Sequence, residues 1–264
     1  MSYLNDVILG VIEGVTEFLP ISSTGHLLLA QHWLGARSDL YNIVIQAGAI
    51  LAVTVIYWRR IADLLLNWRA AENRDYLIKL TLAFLITAVL GLVVKKLGFE
   101  LPETIQPIAW ALVIGGVWMI VAERMAARLP DSARITLRVA IVVGLAQIVA
   151  GIFPGTSRSG ATIFAAMLFG ASNRAAATEF AFLVGIPTMY AASGYELIKQ
   201  MGADAVPEDW LGLGVAFVAS TVTAFVSVKW LLGYIRSNRF TVFSIYRILF
   251  GGLLLGLGAA GVLV

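Results

Sequence analysis

Six long apolar runs limit what this chain can become: Ile43–Trp58, Leu80–Val94, Ile105–Val121, Phe180–Ile198, Leu211–Leu232 and Val242–Val264. Each approaches the roughly 20 residues that an α-helix needs to cross a bilayer. In hydrocarbon every backbone N–H and C=O must find a partner within the protein, so such runs are expected to form helices. No polar stretch between them is long enough for a soluble domain. Only 13% of the 264 residues are charged, against about 25% in soluble domains, and mean hydropathy is +0.87. The expected fold is an all-α polytopic membrane protein with one membrane domain, 1–264.

Several function classes drop out. The net charge of +3 is spread over many loops, the pattern by which membrane proteins set their orientation, so no nucleic-acid partner is expected. The absence of cysteine excludes disulfides, thiolate metal sites and cysteine nucleophiles. Two histidines are too few for a histidine-clustered zinc site. The first basic residue is Arg37, so no basic region precedes the first apolar run and no cleavable signal is expected.

Two further apolar stretches are short and broken. Leu4–Leu19 and Leu27–Leu34 flank a break at Pro20, and Val139–Phe153 and Ile163–Phe169 flank one at Pro154. Each pair reads as a helix–break–helix hairpin that dips into the membrane and returns. Irregular backbone at that depth is tolerated only beside protein or a water-filled cavity. Each hairpin precedes three full spans, so the chain reads as two copies of one plan, about 1–128 and 129–264. Placing Pro20 on Pro154 also superposes Gly10 on Gly144, Val15 on Val149 and Ser23 on Ser157, while Glu13 meets Gln147 and Ser22 meets Thr156. An odd number of crossings per copy inverts the second copy, giving an inverted-topology repeat.

Loop charge sets the orientation. With 59–79, 124–138, Arg174 and 236–239 on the cytoplasmic side, twelve of the nineteen basic residues lie there. Arg37, Lys95, Lys96 and Lys199 then lie outside, and the two lysines at 95–96 run against the rule beside a loop carrying Glu100 and Glu103. Both termini and the entry of the first hairpin are expected to be extracytoplasmic.

Chemistry concentrates in the breaks. Glu13-Gly-Val-Thr-Glu17-Phe-Leu-Pro20-Ile-Ser22-Ser23-Thr24-Gly-His26 packs two carboxylates, three hydroxyls and an imidazole between apolar flanks, where ionisable groups mark function by default. Glu13 and Glu17 at i, i+4 share a helix face, about 5–6 Å apart at Cβ, and can hold one hard divalent cation, Mg²⁺ or Ca²⁺. The plainer alternative is the polar stripe of an interfacial helix. Ser22, Ser23 and Thr24 open the next helix, as N-caps do and as phosphate sites do. The second break, Pro154-Gly155-Thr156-Ser157-Arg158-Ser159-Gly160-Ala161-Thr162, adds glycine, hydroxyls and an arginine. Arg158 is the only basic residue between Arg138 and Arg174, and its fork suits phosphate oxygens. His32 is assigned no role. Gln46 and Glu179, at nearly matching places in the two copies, read as residues supporting the site or, more simply, as polar groups between helices, and Lys229 and Arg247 as interfacial.

Both motifs resemble the signatures of the bacterial undecaprenyl-diphosphate phosphatases of the bacitracin-resistance integral-membrane type, and the resemblance spans the whole chain. It implies hydrolysis of undecaprenyl diphosphate to the monophosphate and inorganic phosphate in the bacterial plasma membrane, recycling the carrier for envelope polymers. It further implies that Glu13 and Glu17 are essential and bind metal, and that Ser23, His26, Ser157, Arg158 and Thr162 bind or attack the diphosphate. His26 or Ser23 is the nucleophile, or His26 activates water. Expected partners are the polyprenyl diphosphate and the bilayer, with a homodimer admissible. The residue pattern alone also describes a secondary transporter, with a lipid-phosphate flippase its sharpest form; only the resemblance favours an enzyme.

Overall fold

The computed structural model describes residues 3–97, 104–200 and 209–263. Within them the chain is helical and has no strand. Glu100, Glu103, Ser2, Asp204 and Val264 lie outside the described residues. Six helices are long and apolar enough to cross a membrane: α3 (Asp39–Ile56), α5 (Ala71–Lys96), α6 (Ile105–Ala126), α9 (Arg174–Gln200), α10 (Trp210–Tyr234) and α11 (Thr241–Ala259). Between and before them lie α1 (Tyr3–Thr16), α2 (Ser23–Leu34), α4 (Trp58–Leu66), α7 (Leu137–Ile152) and α8 (Arg158–Leu168).

The surface is apolar in the way a bilayer requires. Trp58, Val89, Ile114, Trp118, Val226, Trp230 and Leu249 are all exposed, far more greasy surface than a water-soluble monomer tolerates. The interior holds Phe18, Ile50, Val53, Met119, Phe164, Phe180, Phe182 and Phe240 in one cluster. Phe18, just beyond α1, meets Phe182 of α9 edge-on at 5.1 Å, so the first break is packed against a span of the second half.

Small residues let the short helices lie close to long ones. α1 packs on α10, and α7 packs on α5. A Cβ on Gly14 would stand 2.3 Å from Ser220 O and 2.1 Å from Thr223 Oγ1, and one on Gly144 would stand 2.8 Å from Ala83 O. Such backbone approach is how membrane helices associate where no hydrophobic driving force separates them from lipid. Thr87 then donates to Gly144 O at 3.1 Å, and Ser220 donates to Ile45 O at 2.7 Å.

One expectation needs correction. The basic stretch 59–79 is not a loop, because α4 and the first turns of α5 occupy most of it. α4 exposes Trp58, Leu65 and Leu66 as well as Arg59, the two-faced character of a helix lying in the membrane interface. The turn between α4 and α5 is tied by Asn67 and Asn73, which donate to Asp63 carboxylate oxygens at 2.7 and 3.3 Å. These hydrogen bonds hold the exposed Asp63 carboxyl below its ordinary range.

The packing makes a direct prediction. Gly14→Ala should lower the thermal unfolding temperature in detergent, with a cost of about 1–3 kcal/mol for overpacking. Gly151→Ala, where an added Cβ meets nothing within 4 Å, should leave it unchanged. Equal unfolding temperatures for the two variants would contradict the close α1–α10 approach.

Candidate active site

The two breaks are built alike. α1 ends at Thr16, whose hydroxyl donates back to Ile12 O at 2.7 Å, and Pro20 then supplies no N–H to continue a helix. Ser22 precedes α2 with φ 71°, and Ser157 precedes α8 with φ 68°. These are the only non-glycine residues with positive φ among those described. Each conformation costs on the order of 1–3 kcal/mol and persists only where the surroundings over-determine it. The register therefore pairs Ser22 with Ser157. The sequence alignment through the prolines had paired Ser23 with Ser157 and Ser22 with Thr156; Gly155, at φ 94°, is the extra residue that shifts it.

Glu17 is the hub. One oxygen of its buried carboxylate accepts from Arg158 Nη2 and from Gln46 Nε2 at 3.4 Å, and the other accepts from Ser23 Oγ at 2.5 Å. Glu13, one turn earlier, is 1% exposed and lies against Glu17. Its Oε2 is buried without a hydrogen-bond partner. Two acidic side chains thus stand beside one guanidinium, and the oxygen left without a partner is on Glu13.

His26 stands on α2 one turn beyond Ser22. Its Nδ1 lies 2.7 Å from Ser22 O and its Nε2 lies 2.7 Å from the Tyr246 hydroxyl. Phe250 stacks on the ring at 4.3 Å. Thr24 is exposed on the same first turn, and Thr156 is half-buried. Ser157 and Ser159 are buried. Ser157 Oγ accepts from Gly160 N at 3.3 Å, as an N-cap does, and Ser159 Oγ donates to Leu19 O at 3.1 Å, a bond from one break to the other. The Thr162 hydroxyl turns back to Arg158 O and Ser159 O within its own helix. The structure thus joins Glu13, Glu17, Ser23 and Arg158 in one cluster, sets His26 beside α11, and places Thr162 inside the packing of α8.

Four residues of this region are not among the site residues expected from the sequence. Gln46, read as a polar group between helices, reaches Glu17. Tyr246 and Phe250 carry no signal in an apolar span. Arg247, read as interfacial, is 0% exposed. Its guanidinium donates to Leu112 O, Ala111 O, Pro20 O, Gly155 O and Thr156 O at 2.8–3.5 Å. All five N–H groups are used. Gly115 makes the room, since a Cβ there would be 2.2 Å from Arg247 Nη2. Glu179, by contrast, pairs with Arg60 at 3.2 Å, and Lys229 is exposed over the Phe225 ring.

Fold and site define a multi-pass helical membrane protein with a buried carboxylate–arginine centre between two strained helix starts. The model of the bacitracin resistance protein BacA family matches residues 6–253. The undecaprenyl-diphosphatase of Rhizobium etli CFN 42 is 72% identical over all 264 residues, the full length of both chains. That of Rhizobium johnstonii is also 72% identical over both full lengths. The undecaprenyl-diphosphatase of Xanthomonas axonopodis pv. citri is 59% identical over 253 residues, 96% of each chain. The chain belongs to the bacitracin resistance protein BacA family, whose members are membrane proteins.

Replacing Arg247 by methionine should strand the break carbonyls of Pro20, Gly155 and Thr156, each buried acceptor left unsatisfied costing about 1–3 kcal/mol. We expect loss of at least about 3 kcal/mol in stability, read from thermal unfolding in detergent. A change below about 0.5 kcal/mol would show that the arginine does not hold the breaks.

Proposed function

We propose that this chain hydrolyses undecaprenyl diphosphate to undecaprenyl phosphate and inorganic phosphate, recycling the lipid carrier and conferring bacitracin resistance. Full-length identity of 59–72% to relatives named undecaprenyl-diphosphatase supports this. The observation that carries the chemistry is Arg158 held on Glu17 at the start of α8, directly across from the start of α2.

A divalent cation, Mg²⁺ or Ca²⁺, fits the donor set: Glu13 offers a buried oxygen without a partner and Glu17 a neighbouring carboxylate. Glu13 and Glu17 would hold it, and when bound it would neutralise charge on the diphosphate oxygens. Arg158 pairs with Glu17 at the start of α8, and its guanidinium can offer a substrate phosphate two N–H groups for two oxygens. Free backbone N–H groups at the starts of α2 and α8 give donors fixed in advance. Ser22, Thr24, Gly155, Thr156, Ser157 and Ser159 shape that cradle, and Thr162 supports the backbone of Arg158. The terminal P–O bridge breaks, and its electron pair leaves with undecaprenyl phosphate. Ser23, already donating to Glu17, and His26, whose Nε2 meets the Tyr246 hydroxyl, are the two groups placed to attack or to activate water.

The finer architecture follows the same reading. The halves 1–128 and 129–264 form an inverted repeat in a single membrane domain. The pairing of α1 with α10 mirrors that of α7 with α5, and α3 with α10 mirrors α9 with α5. α1 runs parallel to α10, with Gly10 and Gly14 meeting Ala216 and Ser220, and α7 runs parallel to α5, with Gly144 and Ile148 meeting Ala83 and Gly91; α5 and α10 are the second and fifth of the six spans and cross in opposite senses, so the two hairpins enter from opposite faces. With basic ends inside, the first hairpin opens on the extracytoplasmic side of the plasma membrane. A homodimer is compatible with this arrangement.

Purified protein in detergent should release phosphate from undecaprenyl diphosphate, lose activity in excess chelator and regain it with Mg²⁺ or Ca²⁺. Glu17→Gln should abolish turnover. Arg158→Lys should lose most of it, because a point charge lacks the fork. Folded protein that moves lipid phosphate but releases none would make the chain a transporter. The cysteine-free background allows a test of sidedness. Leu97→Cys should react with an impermeant thiol reagent in intact spheroplasts, and Ser237→Cys only after permeabilisation; the reverse would place the site on the cytoplasmic face.

A further inference from the structure

We propose that Tyr246 is a positioning residue for the reaction: its hydroxyl fixes the tautomer and the aim of His26. The proposal rests on the phosphatase reading only for the use made of His26, and its geometric part stands apart from it. Ser22 O has no proton to give, so the proton of the Ser22–His26 contact belongs to Nδ1. In the neutral ring Nε2 then carries the lone pair, and the Tyr246 O–H donates to it at 2.7 Å. Both ring nitrogens are therefore engaged, one by the carbonyl of a strained residue and one by α11.

The ring faces are fixed as well. Tyr246 and Phe250 lie one turn apart on α11 and so share a helix face. The His26 ring lies nearly parallel to both, at 15° to Phe250 and 6° to Tyr246. Turning the ring over would exchange each nitrogen for a carbon and lose both hydrogen bonds, at about 0.5–1.5 kcal/mol each. Between these residues, Arg247 grips the carbonyls of Pro20, Gly155 and Thr156. One turn of α11 thereby sets the imidazole and both breaks in a single frame.

This arrangement gives Tyr246 a specific part. Its hydroxyl occupies the position at Nε2 that an attacking water would take, donating an O–H as that water would. Tyr246 is 42% exposed, so it has room to swing away when substrate or water arrives. Until then it keeps Nε2 unprotonated and fixes its direction. Its action is through His26, and Tyr246 itself forms no bond to phosphorus.

The chain has only two histidines, and His32 is exposed with no part in the site. His32→Gln therefore leaves one imidazole for ¹⁵N-histidine NMR in detergent. We expect one proton-bearing and one bare ring nitrogen, with the proton on Nδ1. Adding Tyr246→Phe, which keeps the ring and its packing, should move both signals toward a tautomer average and leave the unfolding temperature unchanged. In the phosphatase assay, kcat should fall roughly tenfold or more with KM within about twofold; the fall should stay short of the ~10⁴ lost with an outright wrong tautomer, because Ser22 O still holds Nδ1. An unchanged ¹⁵N pattern on Tyr246→Phe overturns the proposal, whatever happens to kcat, and so does a wild-type ring protonated on Nε2. An unchanged kcat beside an altered pattern overturns its catalytic part. Protein with the expected ¹⁵N response but no phosphatase activity would instead reject the enzymatic reading and leave the positioning intact.

Discussion

The structure turns on one guanidinium satisfied by backbone. Arg247 is fully buried and spends its five N–H groups on carbonyls of α6 and of both helix breaks. A broken helix leaves carbonyls without partners, and within a membrane such groups cannot turn to water. A cation on α11 answers several of them at once and uses the shared demand to join two segments more than a hundred residues apart. The positive φ of Ser22 and Ser157 can persist because this clamp and the Ser159–Leu19 bond leave the chain no easier path.

Once the breaks are locked, the electrostatics of the centre follow. Burial makes an unpaired charge expensive, so Glu17 recruits Arg158, Ser23 and Gln46, while Glu13 is left with an unmet oxygen. In the Glu17–Arg158 pair each member satisfies the other. On the proposed function the pair would open to a diphosphate, the guanidinium turning to phosphate oxygens and Glu17, with Glu13, to a divalent cation.

Much of this was legible in the chain because lipid imposes simple rules. The six spans, the helix breaks at Pro20 and Pro154, and the i, i+4 pairing of Glu13 with Glu17 follow from apolar run length, proline chemistry and helical spacing. What could not be read depended on partners that carry no side-chain signature. Arg247 looked interfacial because its acceptors are backbone carbonyls, and any sequence supplies those. Gln46 reached Glu17 through tertiary packing of α3, and Tyr246 was one aromatic among many in a greasy helix. The stretch 59–79 looked like a loop because its charge was more visible than the helical periodicity of α4. The one-residue slip in matching the two breaks came from Gly155, whose left-handed backbone absorbs a residue without changing the path.

The central claim is that the two breaks meet face to face. A Cβ placed on Gly160 would lie 3.4 Å from Pro20 Cβ, close to the separation of about 3.5–4.5 Å found in disulfides. In this cysteine-free chain, Pro20→Cys together with Gly160→Cys gives a single possible bridge. Mild oxidation of the purified double variant should form it within one chain, so that fragments cleaved between α6 and α7 stay linked until reductant is added. Failure to link, with both thiols still reactive in folded protein, would show that the breaks do not meet and would contradict the account.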